Sequence, residues 1–420
     1  MSDVQITTLP NGVRVVSDEM PAVESVSIGM WVRAGARFEA PEVNGVAHLL
    51  EHMMFKGTPR RTSQQIAETI ESVGGHINAY TAREVTAYYA KVLKDDAGLA
   101  IDVIADFMQN SLFDENELGR ERSVVLQEIG QARDTPDDVV FDNFQAIAFP
   151  EQPLGRPVLG RPEVVGQMPR DAIVGFHGRH YHGGSIVLAA AGNITHDALV
   201  ALAEDHLSDV PAGTAQALPV AQYGGGESRE ARELEQVHFV IGFRGAPVGS
   251  EEYYALSVLS NLFGGGMSSR LFQEIRERRG LVYSIDTFLS AFSDEGVFGI
   301  YAGTGPDLIE EFVPALCDEI SRLSSTLGGD EIARARTQLK ANLLMGMEST
   351  GARAERAGQQ MLLYDRVVSV GELVEKIENV TPETLAISAQ RLLESTPCLA
   401  TIGPATKMES FDAIRSRLAA

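Results

Sequence analysis

Apolar and polar positions recur along this chain with two periods. Period-two or densely apolar runs, "NGVRVV" (11–16), "VSIGMWV" (26–32), "HINAYT" (76–81) and "VTAYYAKVL" (85–93), predict strands, the first entered through an Asn-Gly turn. Between them, 44–56 places apolar residues at Val46, Leu49, Leu50, Met53 and Met54, the spacing of a helix that Gly57 and Pro59 stop. Two more helices are expected over 97–111 and 114–132, the second opening with Asp114 and Glu117 at the spacing of a capping box.

The pattern then repeats. "VHFVIGF" (237–243) stands for an early strand, "YALSVLSNLFGGG" matches "VAHLLEHMMFKGT" with Phe263 on Phe55, and "GGDEIARARTQLKANLL" matches "FDENELGRERSVVLQEI" with Glu331 on Glu117. A stretch rich in Gly, Pro and Ala lies near the midpoint. The expectation is a catalytic domain over 1–212, a linker over 213–232 and a homologous domain over 233–420. A chain of 420 residues is long for one domain and fits two. In the second copy His48, Glu51 and His52 become Leu256, Leu259 and Ser260, and Glu128 becomes Asn342. Polar chemistry is therefore confined to the first.

Composition narrows the class. Hydrophobic residues make up 44% of the chain, enough for full cores, and no run approaches the roughly 20 apolar residues of a bilayer span. A net charge of −23 argues against nucleic-acid binding and is compatible with attraction of basic peptides. Two cysteines, Cys317 and Cys398, exclude a disulfide scaffold and a cysteine-based zinc site. With no basic segment followed by an apolar one near Met1, a bacterial cytoplasmic protein is expected, ahead of a mature protein of the mitochondrial matrix.

Residues 47–58, "AHLLEHMMFKGT", carry the candidate chemistry. Four helical residues advance about 400°, so His48 and His52 share a face one turn apart, with Glu51 flanking it. Imidazole nitrogens and carboxylate oxygens are zinc donors, and a catalytic site leaves one position for water. Zinc lowers the pKa of that water, and a nearby carboxylate can take its proton. His-x-x-Glu-His is the inverted-zincin order. A third ligand is required; Glu121 and Glu128 share a face of the 114–132 helix, and spacing does not choose between them. "HGRHYH" (177–182) has a spacing that suits no single helix face, and His76 reads as a surface residue.

The stretches "HLLEHMMFKGT", "GGHINAYTAREVTAYY" (74–89), "ERSVVLQEIGQARDTPDD" (121–138) and "GGGMSSRLFQEIRERRGLVYSI" (264–285) together resemble the pitrilysin/insulinase metallopeptidases, above all processing-peptidase β subunits and their short bacterial relatives. The resemblance implies an α+β fold: two homologous α/β domains, each a mostly antiparallel sheet packed with helices, facing each other across a cleft. It implies one Zn2+ per chain on His48, His52 and Glu128, with Glu51 as general base and Glu121 supporting the site without binding metal. It implies that an extended peptide pairs with the strand carrying Asn78, Ala79 and Tyr80, while Arg276 and Tyr283 reach the scissile carbonyl. The glycine-rich loop at 264–266 is short for a substrate-handling role. The expected activity is zinc-dependent endopeptidase cleavage of extended or presequence-like peptides, in a homodimer or with a related subunit. The alternative is an idle structural or peptide-binding subunit, in which at least one of the four key residues should be missing.

Overall fold

A computed structural model describes residues 4–419. The strands are β1 (Gln5–Thr8), β2 (Arg14–Glu19), β3 (Ser25–Val32), β4 (His76–Thr81), β5 (Thr86–Leu93) and β6 (Ile186–Gly192), then β7 (Gly226–Glu230), β8 (Val237–Arg244), β9 (Ser284–Ala291), β10 (Gly296–Thr304) and β11 (Cys398–Ile402). The helices that bear on the site are α1 (Val46–Met54), α2 (Glu115–Arg133), α3 (Pro136–Ala148), α4 (Glu251–Gly264), α5 (Gly329–Gly346) and α6 (Thr350–Tyr364).

Two sheets form, with orders β1-β2-β6-β3-β5-β4 and β7-β11-β8-β10-β9. Apart from β1, the second order repeats the first strand for strand. Each sheet has one parallel pair, β2 with β6 and β7 with β11, and is otherwise antiparallel. The expected fold of two homologous halves, each a mostly antiparallel sheet packed with helices, is therefore what the chain adopts.

Alternation decides which face each strand residue serves. In β3, Val26, Ile28, Met30 and Val32 enter the core beside α1, while Trp31 enters the cluster on the opposite face. In β6, Ile186, Leu188 and Ala190 take the first face and Val187, Ala189 and Ala191 the second. Both faces are thus apolar and both need cover.

That need explains a departure from the expected domains. The compact units are not two continuous stretches cut between 212 and 233. One unit holds the chain through Gly130, Arg156–Pro219 and Leu344–Val368; the other holds Gln131–Gly155, Val220–Leu343 and the chain from Ser369 onward. In the first unit α6 lays Ala354, Ala357, Met361 and Leu362 on Val16, Trp31, Ala87 and Val187. In the second, α3 lays Val140, Phe144 and Ala148 on Val240, Ala400 and Ile402. Each half thus donates the helix that covers the other half's sheet. Of the expected linker, 213–225 carries no regular structure and the units divide there between Pro219 and Val220, but its remainder is not a linker: Gly226–Glu230 form β7, paired with β11.

Local expectations are met with small shifts. The helix expected at 44–56 spans Val46–Met54, and the strand expected at 11–16 runs Arg14–Glu19. Asp114 Oδ1 accepts the N–H groups of Asn116 and Glu117, but the Glu117 carboxylate pairs with Arg120 and does not return to the cap. Among the described residues no helix is long and apolar enough to cross a membrane.

Candidate metal centre

Helix α1 buries Val46, Ala47, Leu49, Leu50, Met53 and Met54 and leaves His48, Glu51 and His52 on the remaining face. A helix anchored on three sides holds that face in a fixed direction. Its N-terminus starts at Gly45, whose φ of +98° and lack of room for a Cβ (2.8 Å from the Val165 side chain) require glycine. Gly45 offers no capping side chain, and Glu39 supplies the cap from outside the helix. Its Oε1 accepts from Ala47 N at 2.9 Å; its Oε2 accepts from Gly45 N and Asn44 Nδ2, both at 2.8 Å. Burial pushes the Glu39 carboxyl up to about 7 against those donors and the Arg156 charge.

Helix α2 runs past α1 so that the two faces pair rung by rung. His48 Nε2 lies 3.8 Å from Glu128 Oε2, and His52 Nε2 lies 3.5 Å from the same oxygen. One rung on, His52 Nδ1 meets Glu121 Oε2 at 3.1 Å, and Lys56 Nζ meets Glu121 Oε1 at 2.6 Å. The order 48, 52, 56 against 128, 121 means antiparallel helices.

This arrangement resolves what spacing left open. Glu121 is buried, with one oxygen on His52 Nδ1 and the other on Lys56, so it orients a ring from behind. Glu128 presents its oxygen to both Nε2 atoms. In a tetrahedral shell with bonds of about 2.0–2.1 Å, donor atoms stand roughly 3.4 Å apart, close to the separations seen here. The three donor atoms lie within 4.8 Å of one another, the one such His/Cys/Asp/Glu group among the described residues. His48 Nδ1 is buried without a hydrogen-bond partner there, and burial together with His52 pushes the ring's pKa down to about 4. Neutral imidazole is the form that binds a cation. His48, His52 and Glu128 fit a zinc ion.

Glu51 sits beside this group. Burial raises its pKa and the Glu128 charge adds to that, while a hydrogen bond from Thr81 and the His52 charge oppose it. Thr81 Oγ1 donates to Glu51 Oε2 at 2.5 Å. Thr81 closes β4, which among the described residues pairs only with β5 and is an edge of its sheet, so Asn78, Ala79 and Tyr80 lie on an edge strand as expected. Ala79 N donates to Asn78 Oδ1, and the Tyr80 hydroxyl donates to Glu355 on α6, which also receives Trp31 Nε1. His76 is exposed and begins β4.

Arg276 and Tyr283 belong to the second unit. They meet each other: Arg276 Nε donates to Tyr283 O at 3.0 Å, and the guanidinium lies over the Phe272 ring. Tyr283 is 62% exposed, so it is not a packed core tyrosine. Arg276 stands in a π-helical turn, Phe272–Arg278. The histidines of "HGRHYH" do not converge. His177 contacts Met108 O, His180 meets Phe38 edge-on and lies tilted against Phe176, and His182 bonds Ser185.

Sequence comparison matches residues 14–162 to the insulinase family, peptidase family M16, and residues 167–339 to the peptidase M16 inactive domain. Proteins of Rickettsia felis and Rickettsia bellii, each named an uncharacterized zinc protease, are 39% and 40% identical over 400 residues, covering 95% of this chain and 97% of each relative. The chain belongs to the insulinase family. Within it, the inactive-domain match falls where the second copy carries Leu256, Leu259 and Ser260. A chain of complex III2 from Candida albicans, bound to Inz-5, shares the fold with a TM-score of 0.90, covering 99% of this chain and 100% of that one at 23% identity.

Three residues of the site went unread in the sequence. Lys56 continues the series 48, 52, 56 by one helical turn and could have been found that way. Thr81 stands at the end of "NAYT", where no spacing signals a link to Glu51. Glu39 lies outside α1 and has no local signature.

Proposed function

We propose that this chain is a zinc-dependent endopeptidase that holds one zinc ion on His48, His52 and Glu128 and uses Glu51 as general base. Zinc held there supplies Lewis acidity to a substrate carbonyl and to water. Glu51 takes a proton from the attacking water and returns it to the leaving amine. A carboxylate whose pKa burial has raised suits both halves of that exchange. Glu121 keeps the His52 ring oriented with Nε2 toward Glu128, and Lys56 keeps Glu121 in place.

The substrate is an extended peptide laid against β4, where main-chain pairing gives sequence-tolerant affinity. Arg276 and Tyr283 are assigned to the carbonyl oxygen, where a guanidinium or phenol would offset developing negative charge. Arg- and Lys-containing peptides suit a protein of net charge −23.

One observation carries the reading: His48, His52, Glu128 and Glu51 stand together, complete, on one buried helix and its neighbour. An idle subunit would have no need to keep all four. The test is incubation of purified protein with a mixed peptide library, with and without a chelator, products being identified by mass spectrometry. Chelator-sensitive cleavage is expected, and E51Q should retain about one zinc per chain while turnover falls at least 100-fold. Cleavage by E51Q at the parent rate would remove Glu51 as the base, and chelator-resistant cleavage would remove the metal.

A further inference from the structure

Thr81 is the last residue of β4, and its side chain leaves the sheet to meet α1. A threonine hydroxyl has one proton to donate, and its neighbours settle where that proton goes. Across the hairpin Thr81 is paired with Thr86, whose Oγ1 lies 3.4 Å away, but Thr86 spends its own proton on Ala34 O at 2.9 Å. Glu51 Oε2, at 2.5 Å and able only to accept when ionised, takes the Thr81 proton. Among the described residues Glu51 receives no second hydrogen bond, so Oε1 remains open. A carboxylate on a single χ3 torsion turns freely unless one oxygen is held.

The second unit ties its edge strand to its helix at a different register, four residues before the hairpin end. On β9, Thr287 Oγ1 donates to Ser260 O at 2.7 Å and accepts from Ser260 Oγ at 3.0 Å. There the threonine ends on backbone. The strand position that matches Thr81 at the hairpin end is Ala291, and the helix position that matches Glu51 is Leu259, so acid and hydroxyl are absent together from that half.

Resting on the peptidase reading above, we infer that Thr81 is a positioning residue: it fixes one oxygen of Glu51 so that the other faces the attacking water. Because Thr81 ends the strand assigned to substrate, it also ties the base to the register of the bound peptide. The link acts through Glu51 and leaves the zinc donors untouched.

Thr81→Val removes the hydroxyl and keeps the β-branched shape. With the best-cut library peptide as probe, kcat should fall about 10-fold or more, as loss of a hydrogen bond to a charged group allows. KM should stay within about twofold and zinc per chain should be unchanged. Thr81→Ser, which keeps the hydroxyl in a residue less suited to strands, should restore most of kcat. A purely structural role in the hairpin would move KM, zinc content or the melting midpoint, and serine would not rescue it. Unchanged kcat in T81V, or a T81S as slow as T81V, overturns the role while leaving the peptidase reading intact. A parent protein that cuts no peptide removes that reading and this role with it. Should T81V fail to fold, the same comparison between T81S and T81A decides.

Discussion

At the scale of single residues, the legible part of the site was its helical spacing. His48, Glu51 and His52 announce themselves because four residues make one turn, and Glu128 was reachable only through family resemblance. Glu39 was invisible, since a cap donated from outside the helix obeys no fixed offset. It also carries a pH signature. Its carboxyl ordinarily titrates near 4.5 and here is pushed up to about 7 by burial. Below 4.5 both folded and unfolded chains carry the proton, so no difference arises. Between 4.5 and 7 the folded chain keeps a proton that the unfolded chain has released, and stability falls as pH rises. Above 7 both are ionised and the loss is complete, on the order of 3 kcal/mol for a shift of that size. Glu39→Gln cannot ionise. Denaturant midpoints of parent and E39Q at pH 5 to 8 should therefore converge or cross as pH rises. Parallel pH dependences would remove Glu39 as the source.

Among the elements, β3 and β8 were read from their dense apolar runs although both faces are buried, and β6 and α6 were not. The run Ile186–Gly192 is "IVLAAAG", with no alternation, because the core beside α1 takes one face and α6 the other. Helix α6 was equally silent, since its apolar stripe is made largely of small residues, Ala354, Ala357 and Gly358, whose use is close approach. A Cβ at Gly358 would lie 2.3 Å from a ring atom of Trp31, which is fully buried on β3. Gly358→Ala would gain helix propensity of up to about 1 kcal/mol, but it must push α6 off the sheet. Overpacking of this kind costs about 1–3 kcal/mol, so net destabilisation is expected. Trp31 is the sole tryptophan, so its emission reports the contact directly. The variant should shift that emission to longer wavelength and unfold at lower denaturant. A G358A protein with parental emission and raised stability would mean that the helix adjusts freely.

For the whole molecule, the repeat was legible because both copies run the same strand order, and the exchange of covering helices was not. Sequence similarity between halves says which elements correspond; it does not say which sheet a helix covers. The exchange has a consequence for folding. A chain ending at Pro219 keeps all six strands of the first sheet and the whole of α1 and α2, yet it lacks α6. Val16, Trp31, Ala87, Val187, Ala189 and Ala191 then face water on one side of the sheet. An apolar face of that kind binds dyes or self-associates. Residues 1–219 alone should therefore bind a hydrophobic dye and show red-shifted Trp31 emission. Adding a peptide of residues 344–368 should reverse the emission shift and lower dye binding to what the uncovered α3 stripe retains, because it carries the apolar stripe and Glu355, the partner of Trp31 Nε1 and the Tyr80 hydroxyl. A fragment 1–219 with native-like emission, no dye binding and no response to the peptide would show that the first sheet needs no cover from the second half of the chain.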